Sequence, residues 1–292
     1  MFKGSIVALV TPMSSTGEID YASLQKLVQF HVDNGTDAIV SVGTTGESAT
    51  LPVEQHVEVV RKTVEFADGK IPVIAGTGAN STEEAIELGN LVQDLGIAGM
   101  LSVVPYYNKP QQRGMIKHFT AIADASKVPI ILYNVPGRTV ADLLPKSVAE
   151  LAKHPNIVAL KEATGDLDRL AEIKALVDDG FALLSGDDPT GCEFMLQGGH
   201  GVISVTSNVA PKLMSELCQA TANGDAESAR KIDASLMELH QKLFIEPNPV
   251  MPKWALYRMG LLPTPFLRLP MVEPEQESCE VMDNLLARMS LI

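Results

Sequence analysis

Cysteine is scarce in this sequence. Cys192, Cys218 and Cys279 stand far apart, no CxxC pair exists and their number is odd. This argues against a disulfide framework, and the expectation is three small buried apolar residues in a reducing cytoplasm. Basic residues are in deficit as well, with 23 Lys and Arg against 36 Asp and Glu and a net charge of -13. That balance favours solubility and argues against nucleic acid or an anionic membrane as partner, although a site's local field can still hold a small anion. No apolar run approaches the roughly 18 residues of a membrane span. The opening MFKGSIVALVTPM is cut short at Pro12 and has no A-x-A-like cleavage site after it, so it reads as a first strand rather than a signal peptide. There is no P-loop, no G-x-S-x-G, and no G-x-G-x-x-G after the first strand. The histidines, His31, His56, His118, His154, His200 and His240, form neither H-x-H nor H-E-x-x-H. The expectation is therefore no metal and no cofactor.

What the sequence does have is alternation. Short apolar runs occur at 5–10, 37–42, 71–75, 98–104, 128–132, 156–160, 181–184 and 201–205. Continuous apolar runs of this length suit strands covered on both faces. Amphipathic stretches lie between them, among them 21–34, 53–67, 82–95, 112–126 and 166–178. Helix starts are marked by Ser81-Thr82-Glu83-Glu84, which supplies capping groups and acid in the first turn, and by Pro52. Eight strand-then-helix units predict a (β/α)8 TIM barrel, an α/β fold, over residues 1–225. An open doubly wound sheet is the alternative, weakened by the missing glycine fingerprint. Beyond residue 225 the strand signals stop, and helical patterns at 226–243, 250–260 and 275–290 predict a C-terminal helical appendage over 226–292.

Chemistry in such barrels sits at the C-terminal ends of the strands. Lys161 closes the run Ile157-Val158-Ala159-Leu160. Strict alternation places it on one face with Ile157 and Ala159, toward the barrel interior, with Val158 and Leu160 toward the helices. Desolvation favours the neutral form of an amine, and a neutral amine attacks a ketone to form an imine. The competing reading is a strand-end lysine that snorkels to water. Gly43-Thr44-Thr45-Gly46-Glu47 is either a tight turn or a cradle of backbone N–H groups for a carboxylate. Tyr133 is either a proton carrier or a core tyrosine with one satisfied hydroxyl. Arg138 follows Pro136-Gly137 and is either a surface residue or a bidentate partner for a substrate carboxylate. Asp187-Asp188 is read as a helix-capping turn rather than a metal ligand pair.

With these residues in place the chain resembles the dihydrodipicolinate synthase family of pyruvate-dependent class I lyases. The resemblance runs essentially end to end through G-T-T-G-E at 43–47, P-Y-Y-N at 105–108, Y-N-V-P-G-R-T at 133–139, L-K-E-A-T at 160–164, G-G-H-G-V-I-S-V at 198–205 and E-P-N-P at 246–249. It implies a Schiff base between pyruvate and Lys161, then attack of the derived enamine on L-aspartate-4-semialdehyde, a reaction of diaminopimelate and L-lysine biosynthesis. It implies Tyr133 as proton shuttle, with Thr44 and Tyr107 in its relay and Tyr107 reaching into a neighbouring subunit. Thr45 would contact the pyruvate carboxylate, Arg138 the carboxylate of the semialdehyde, and Gly186 and Ile203 would line the site. A homotetramer built as a dimer of dimers is implied. So is a feedback site for L-lysine at Ser48, Ala49, His56, Asn80, Glu84 and Tyr106.

The sequence departs from the family pattern at two places. Val53 stands where lysine-sensitive relatives often have histidine. In Asn248-Pro249-Val250-Met251-Pro252-Lys253 the second proline is one residue late, which is expected to have little catalytic effect. An N-acetylneuraminate lyase on the same scaffold is the nearest rival. Arg138 speaks against it, because a polyol partner needs neutral hydrogen-bonding groups. A catalytically silent ligand-binding barrel is the rival from another class, and the presence together of Lys161, Tyr133, Thr44 and Tyr107 speaks against that one.

Overall fold

The computed structural model describes residues 2–292; Met1, the head of the opening stretch, lies outside the described residues. The chain runs β1 (Gly4–Ala8), α1 (Tyr21–Asp33), β2 (Ala38–Ser41), α2 (Val53–Ala67), β3 (Val73–Gly76), α3 (Thr82–Val92), β4 (Gly99–Val103), α4 (Gln112–Ala125) and β5 (Ile130–Asn134). Two short helices follow, α5 (Pro136–Thr139) and α6 (Pro145–Leu151). Next come β6 (Ile157–Glu162), α7 (Leu167–Lys174), β7 (Ala182–Ser185), α8 (Asp188–Leu196), β8 (Gly201–Ser204) and α9 (Pro211–Ala222). The last three helices are α10 (Ala226–Lys242), α11 (Val250–Arg258) and α12 (Gln276–Arg288). All eight strands are parallel and pair in sequence order, and β1 closes on β8 with Ile6 opposite Ile203. The (β/α)8 barrel read from the alternation is the fold.

Local chemistry explains the boundaries. The side chain of Asp20 caps α1 by accepting from Ser23 N at 3.0 Å, and Ser81 caps α3 by accepting from Glu84 N. Asp187 caps α8 through Thr190 N and Oγ1, as the capping reading expected. Its neighbour Asp188 is buried and accepts from Val205 N and Thr206 N, both at 2.9 Å, so it fastens the end of β8. Pro252 occupies the first turn of α11, where backbone N–H groups have no intrahelical partner, so the late proline costs that helix no hydrogen bond.

The core has three parts. Inward side chains such as Ile6, Val40, Ile74, Leu101, Ile131 and Leu184 fill the barrel. A second layer lies between the strands and α1 to α7. A third joins α8 and α9 to α10, α11 and α12 through residues such as Met195, Leu217, Leu236, Leu239, Met282 and Leu285. Residue 225 thus separates the strands from the last three helices, but one apolar cluster spans it.

One expectation about β6 is corrected. Ile157 packs with Leu160 in the layer facing the helices, whereas Val158 packs against the barrel interior. The cause is a register shift: Ile130 pairs with Ile157 but Ile131 pairs with Ala159, so Val158 is an extra residue on β6. From Ala159 onward alternation resumes, with Ala159 inward and Leu160 outward. Lys161 therefore keeps its inward direction although the first two residues of the strand exchange faces.

Candidate active site

Lys161 lies at the C-terminal end of β6, directly opposite Tyr133 on β5. Both are buried, at 6% exposure each, and Lys161 Nζ sits 4.3 Å from the centroid of the Tyr133 ring. The lysine does not snorkel to water. Gly186, just beyond β7, makes room for it: a Cβ there would lie 2.7 Å from Lys161 Cε and 2.7 Å from Ala163 Cβ. No side chain fits at 186 unless the lysine stem moves. Ile203 is buried in the same barrel-filling cluster.

The turn after β2 forms the facing wall. Glu47 N donates to Thr44 O at 3.1 Å and Ser48 N donates to Gly43 O at 3.3 Å, which closes it. Val42 enters the turn with φ 54° and Glu47 leaves it with φ 59°. Left-handed backbone at a β-branched residue is uncommon and costs on the order of 1–3 kcal/mol, so the turn is held against local preference. Thr45 is buried, and its hydroxyl accepts from Asn248 Nδ2 at 2.9 Å.

Asn248 was not singled out in the sequence, and it joins two residues that were. Its amide holds Thr45, and its main-chain oxygen accepts from Arg138 Nη2 at 3.4 Å. Behind it, Lys253 is fully buried and donates to Glu47 Oε1 and, at 2.7 Å, to Phe266 O. The other Glu47 oxygen accepts from Arg268 N at 3.1 Å. Burial pushes the Lys253 ammonium below its usual range, and the Glu47 carboxylate beside it opposes that shift. Removing one partner of a buried pair of this kind costs about 3–5 kcal/mol. α11 and the connections on either side of it thus brace the turn that carries Thr44 and Thr45. A sequence signal for this existed: Lys253 stands inside the apolar stretch Val250-Met251-Pro252-Lys253-Trp254-Ala255-Leu256, and a lysine there needs a buried acid.

Arg138 is exposed on α5 at the barrel mouth. A cleft of about 740 Å³ opens there, and its wall includes Thr44, Val135, Arg138 and Asn248. The same cleft continues past Ser48, Ala49, His56, Glu84 and Tyr106. Asn80 lies beside this end, its carbonyl accepting from Asn108 Nδ2 at 2.9 Å. His56 is buried and donates through Nε2 to Gly76 O at 2.8 Å, and burial holds its imidazole below the ordinary pKa. Val53 is half exposed on the cleft wall and offers no polar group.

Tyr107 stands apart. It is 90% exposed with φ 73°, and the cleft of its own chain is lined by Tyr106 instead. Among the described residues, no three His, Cys, Asp or Glu side chains converge as a metal ligand set, and no helix is long and apolar enough to cross a membrane.

Known proteins match this chain along its whole length. The model of the dihydrodipicolinate synthetase family matches residues 1–289. A 4-hydroxy-tetrahydrodipicolinate synthase of Pseudoalteromonas atlantica is 64% identical over 278 residues, 95% of each chain. The crystal structure of a chloride-inhibited dihydrodipicolinate synthase from Acinetobacter baumannii complexed with pyruvate superposes with a TM-score of 0.98 at 48% identity and covers both chains completely. A dihydrodipicolinate synthase from Cyanidioschyzon merolae with lysine bound gives 0.96 at 40% identity, over 100% of this chain and 99% of that one. Agreement of this length and identity, on a barrel whose strand-end lysine is buried against a tyrosine, leaves one assignment: the chain belongs to the dihydrodipicolinate synthetase family.

Proposed function

We propose that this enzyme condenses pyruvate with L-aspartate-4-semialdehyde to 4-hydroxy-tetrahydrodipicolinate through an imine on Lys161, in diaminopimelate and L-lysine biosynthesis in the cytoplasm. The observation that carries this reading is the buried amine of Lys161 lying over the Tyr133 ring. The Lys161 amine attacks the pyruvate ketone and water leaves, giving a protonated imine. That cation withdraws electrons, so a methyl proton departs and an enamine forms. The enamine carbon attacks the aldehyde, a carbon–carbon bond forms and the aldehyde oxygen becomes a hydroxyl. The amino group of the former semialdehyde then attacks the imine carbon, closes the ring and releases Lys161.

Tyr133 is assigned to proton transfer at the imine, a role supported by its ring lying against Lys161 Nζ. Thr44, on the facing turn, continues that path. The exposure of Tyr107 supports its reaching into a second copy of the chain, within a homotetramer built as a dimer of dimers. Thr45 is assigned to the pyruvate carboxylate and Arg138 to the carboxylate of the semialdehyde. Gly186 and Ile203 shape the pocket around them. A coupled assay with pyruvate and the semialdehyde should give kcat/KM at least ~100-fold above that for N-acetylneuraminate cleavage, since a site built around a charged contact discriminates strongly against a partner lacking it. Faster cleavage of N-acetylneuraminate would overturn the assignment.

L-Lysine is proposed as a feedback ligand at the far end of the cleft. The Cyanidioschyzon protein was solved with lysine bound, and here Glu84 brings a carboxylate to the same cleft as Ser48, Ala49 and Tyr106. Glu84 would hold an ammonium group of the ligand. Glu84→Ala should raise the lysine concentration for half-inhibition by ~10-fold or more, as loss of a paired charge does, with kcat in the absence of lysine within about 2-fold. Inhibition unchanged by that substitution would move the site elsewhere.

A further inference from the structure

The motifs Y-N-V-P-G-R-T and L-K-E-A-T contain two residues that the reaction leaves unassigned, Asn134 and Glu162. Each follows a residue of the imine site, so each points the opposite way, out of the barrel. Tyr133 pairs with Lys161 in the strand register and Asn134 pairs with Glu162 one step further on. The outer face of a barrel strand ordinarily packs apolar side chains against helices. Here Asn134 is fully buried and Glu162 is 4% exposed.

Their polar groups are joined in one cluster. Asn134 Nδ2 donates to Glu162 at 3.2 Å and to Asp142 Oδ1 at 2.8 Å, while Asn134 Oδ1 accepts from Leu143 N at 2.9 Å. Thr164 N donates to Glu162 Oε1 at 2.9 Å. Arg169 on α7 donates to Glu162 Oε2 at 3.3 Å and forks onto Asp142 at 3.0 and 3.1 Å. A cluster of this kind is favourable only while every member keeps its partner.

The register it acts on is interrupted. β6 carries the extra residue Val158 opposite the Ile130–Ile131 step. Below the shift one pair remains, so only Ile131↔Ala159 and the three pairs above it fix how β6 sits on β5 at the site. Sliding β6 by one residue would absorb the extra residue and turn Lys161 out of the barrel, because side chains alternate with period two. The same slide would part Asn134 from Glu162 and leave buried polar groups without partners. We infer that the Asn134–Glu162–Asp142–Arg169 cluster is the register lock of the imine-forming strand, and that Asn134 and Glu162 are positioning residues which hold Lys161 against Tyr133.

This rests on Lys161 as the imine lysine, and the test separates the two. Full-length wild type, Asn134→Leu, Asn134→Ser and Glu162→Gln are compared for kcat, KM for both substrates, rate of borohydride-trapped pyruvate adduct and Tm, with kcat expressed per trapped site. Asn134→Leu should lower kcat and the trapping rate together by ~10-fold or more with both KM values within about 2-fold, Asn134→Ser should fall between it and wild type, and Glu162→Gln, which keeps the shape but turns an amide NH2 toward Thr164 N or Arg169 Nε, should lower kcat and the trapping rate by ~3-fold or more. A lower Tm with kcat per site unchanged in both Asn134 variants would make the cluster merely stabilising and overturn the inference. Should Asn134→Leu fail to fold, Asn134→Ser with unchanged kcat per site overturns it equally. Absence of the adduct in wild type would instead refute the imine reading itself.

Discussion

Lys161→Met should remove the proposed covalent chemistry and leave the barrel folded. The expected result is a loss of kcat of ~10⁴-fold or more, equivalent to at least about 5.5 kcal/mol of transition-state stabilisation, and no pyruvate adduct after borohydride treatment. Wild type under the same treatment gains the mass of the reduced pyruvate imine on the peptide that contains Lys161. Methionine is the informative replacement because it fills most of the lysine stem's volume. The stem lies in a pocket closed by Gly186 and Ala163 and against the Tyr133 ring, so alanine would open a void and confuse packing with chemistry. A Tm near that of wild type, with activity lost, assigns the loss to the amine. A pyruvate adduct that persists in Lys161→Met, on any other lysine, would overturn the mechanism.

Arg138→Ala should separate the two half-reactions. On the proposed mechanism the imine forms deep in the barrel, where Lys161 is buried, whereas Arg138 is exposed at the mouth. Loss of the guanidinium should lower kcat/KM for the semialdehyde by ~10² to 10³-fold, the scale of a charge-assisted bidentate contact, and leave the rate of pyruvate trapping within about 3-fold. Equal loss of both steps would mean that Arg138 shapes the pocket instead of receiving the second substrate. Its bond to the main chain of Asn248 gives that alternative a physical route, and Arg138→Lys is a useful further variant: it keeps the charge but not the fork.

The barrel was legible because its signal is local. Strands buried on both faces leave uninterrupted apolar runs, and each of the eight runs lies within a few residues of an observed strand. Period-two counting placed Lys161 inward correctly, but only because the strand is regular from Ala159 onward. Ile157 and Val158 were misassigned for a reason no single strand contains: a register shift belongs to a pair of strands. The residues that brace the site were hidden for a related reason. Asn248 meets Thr45 across 203 residues and Lys253 meets Glu47 across 206, and contacts of that range leave no periodic trace. What the sequence does show is the anomaly, a lysine amid apolar neighbours, without the identity of its partner.

The distance along the chain between Glu47 and Lys253 has a consequence for the order in which the protein is made. Translation proceeds from the N-terminus, and elements generally fold as they become available. Strands and helices of the barrel can begin to associate while the last quarter of the chain is still being synthesised. The turn that carries Thr44 and Thr45 cannot reach its final state then, because the countercharge for Glu47 arrives with residue 253 and the main-chain donor with residue 268. On the roles proposed for Thr44 and Thr45, catalytic competence is a late event in the life of each molecule. A nascent or C-terminally shortened chain would have a barrel without a finished mouth.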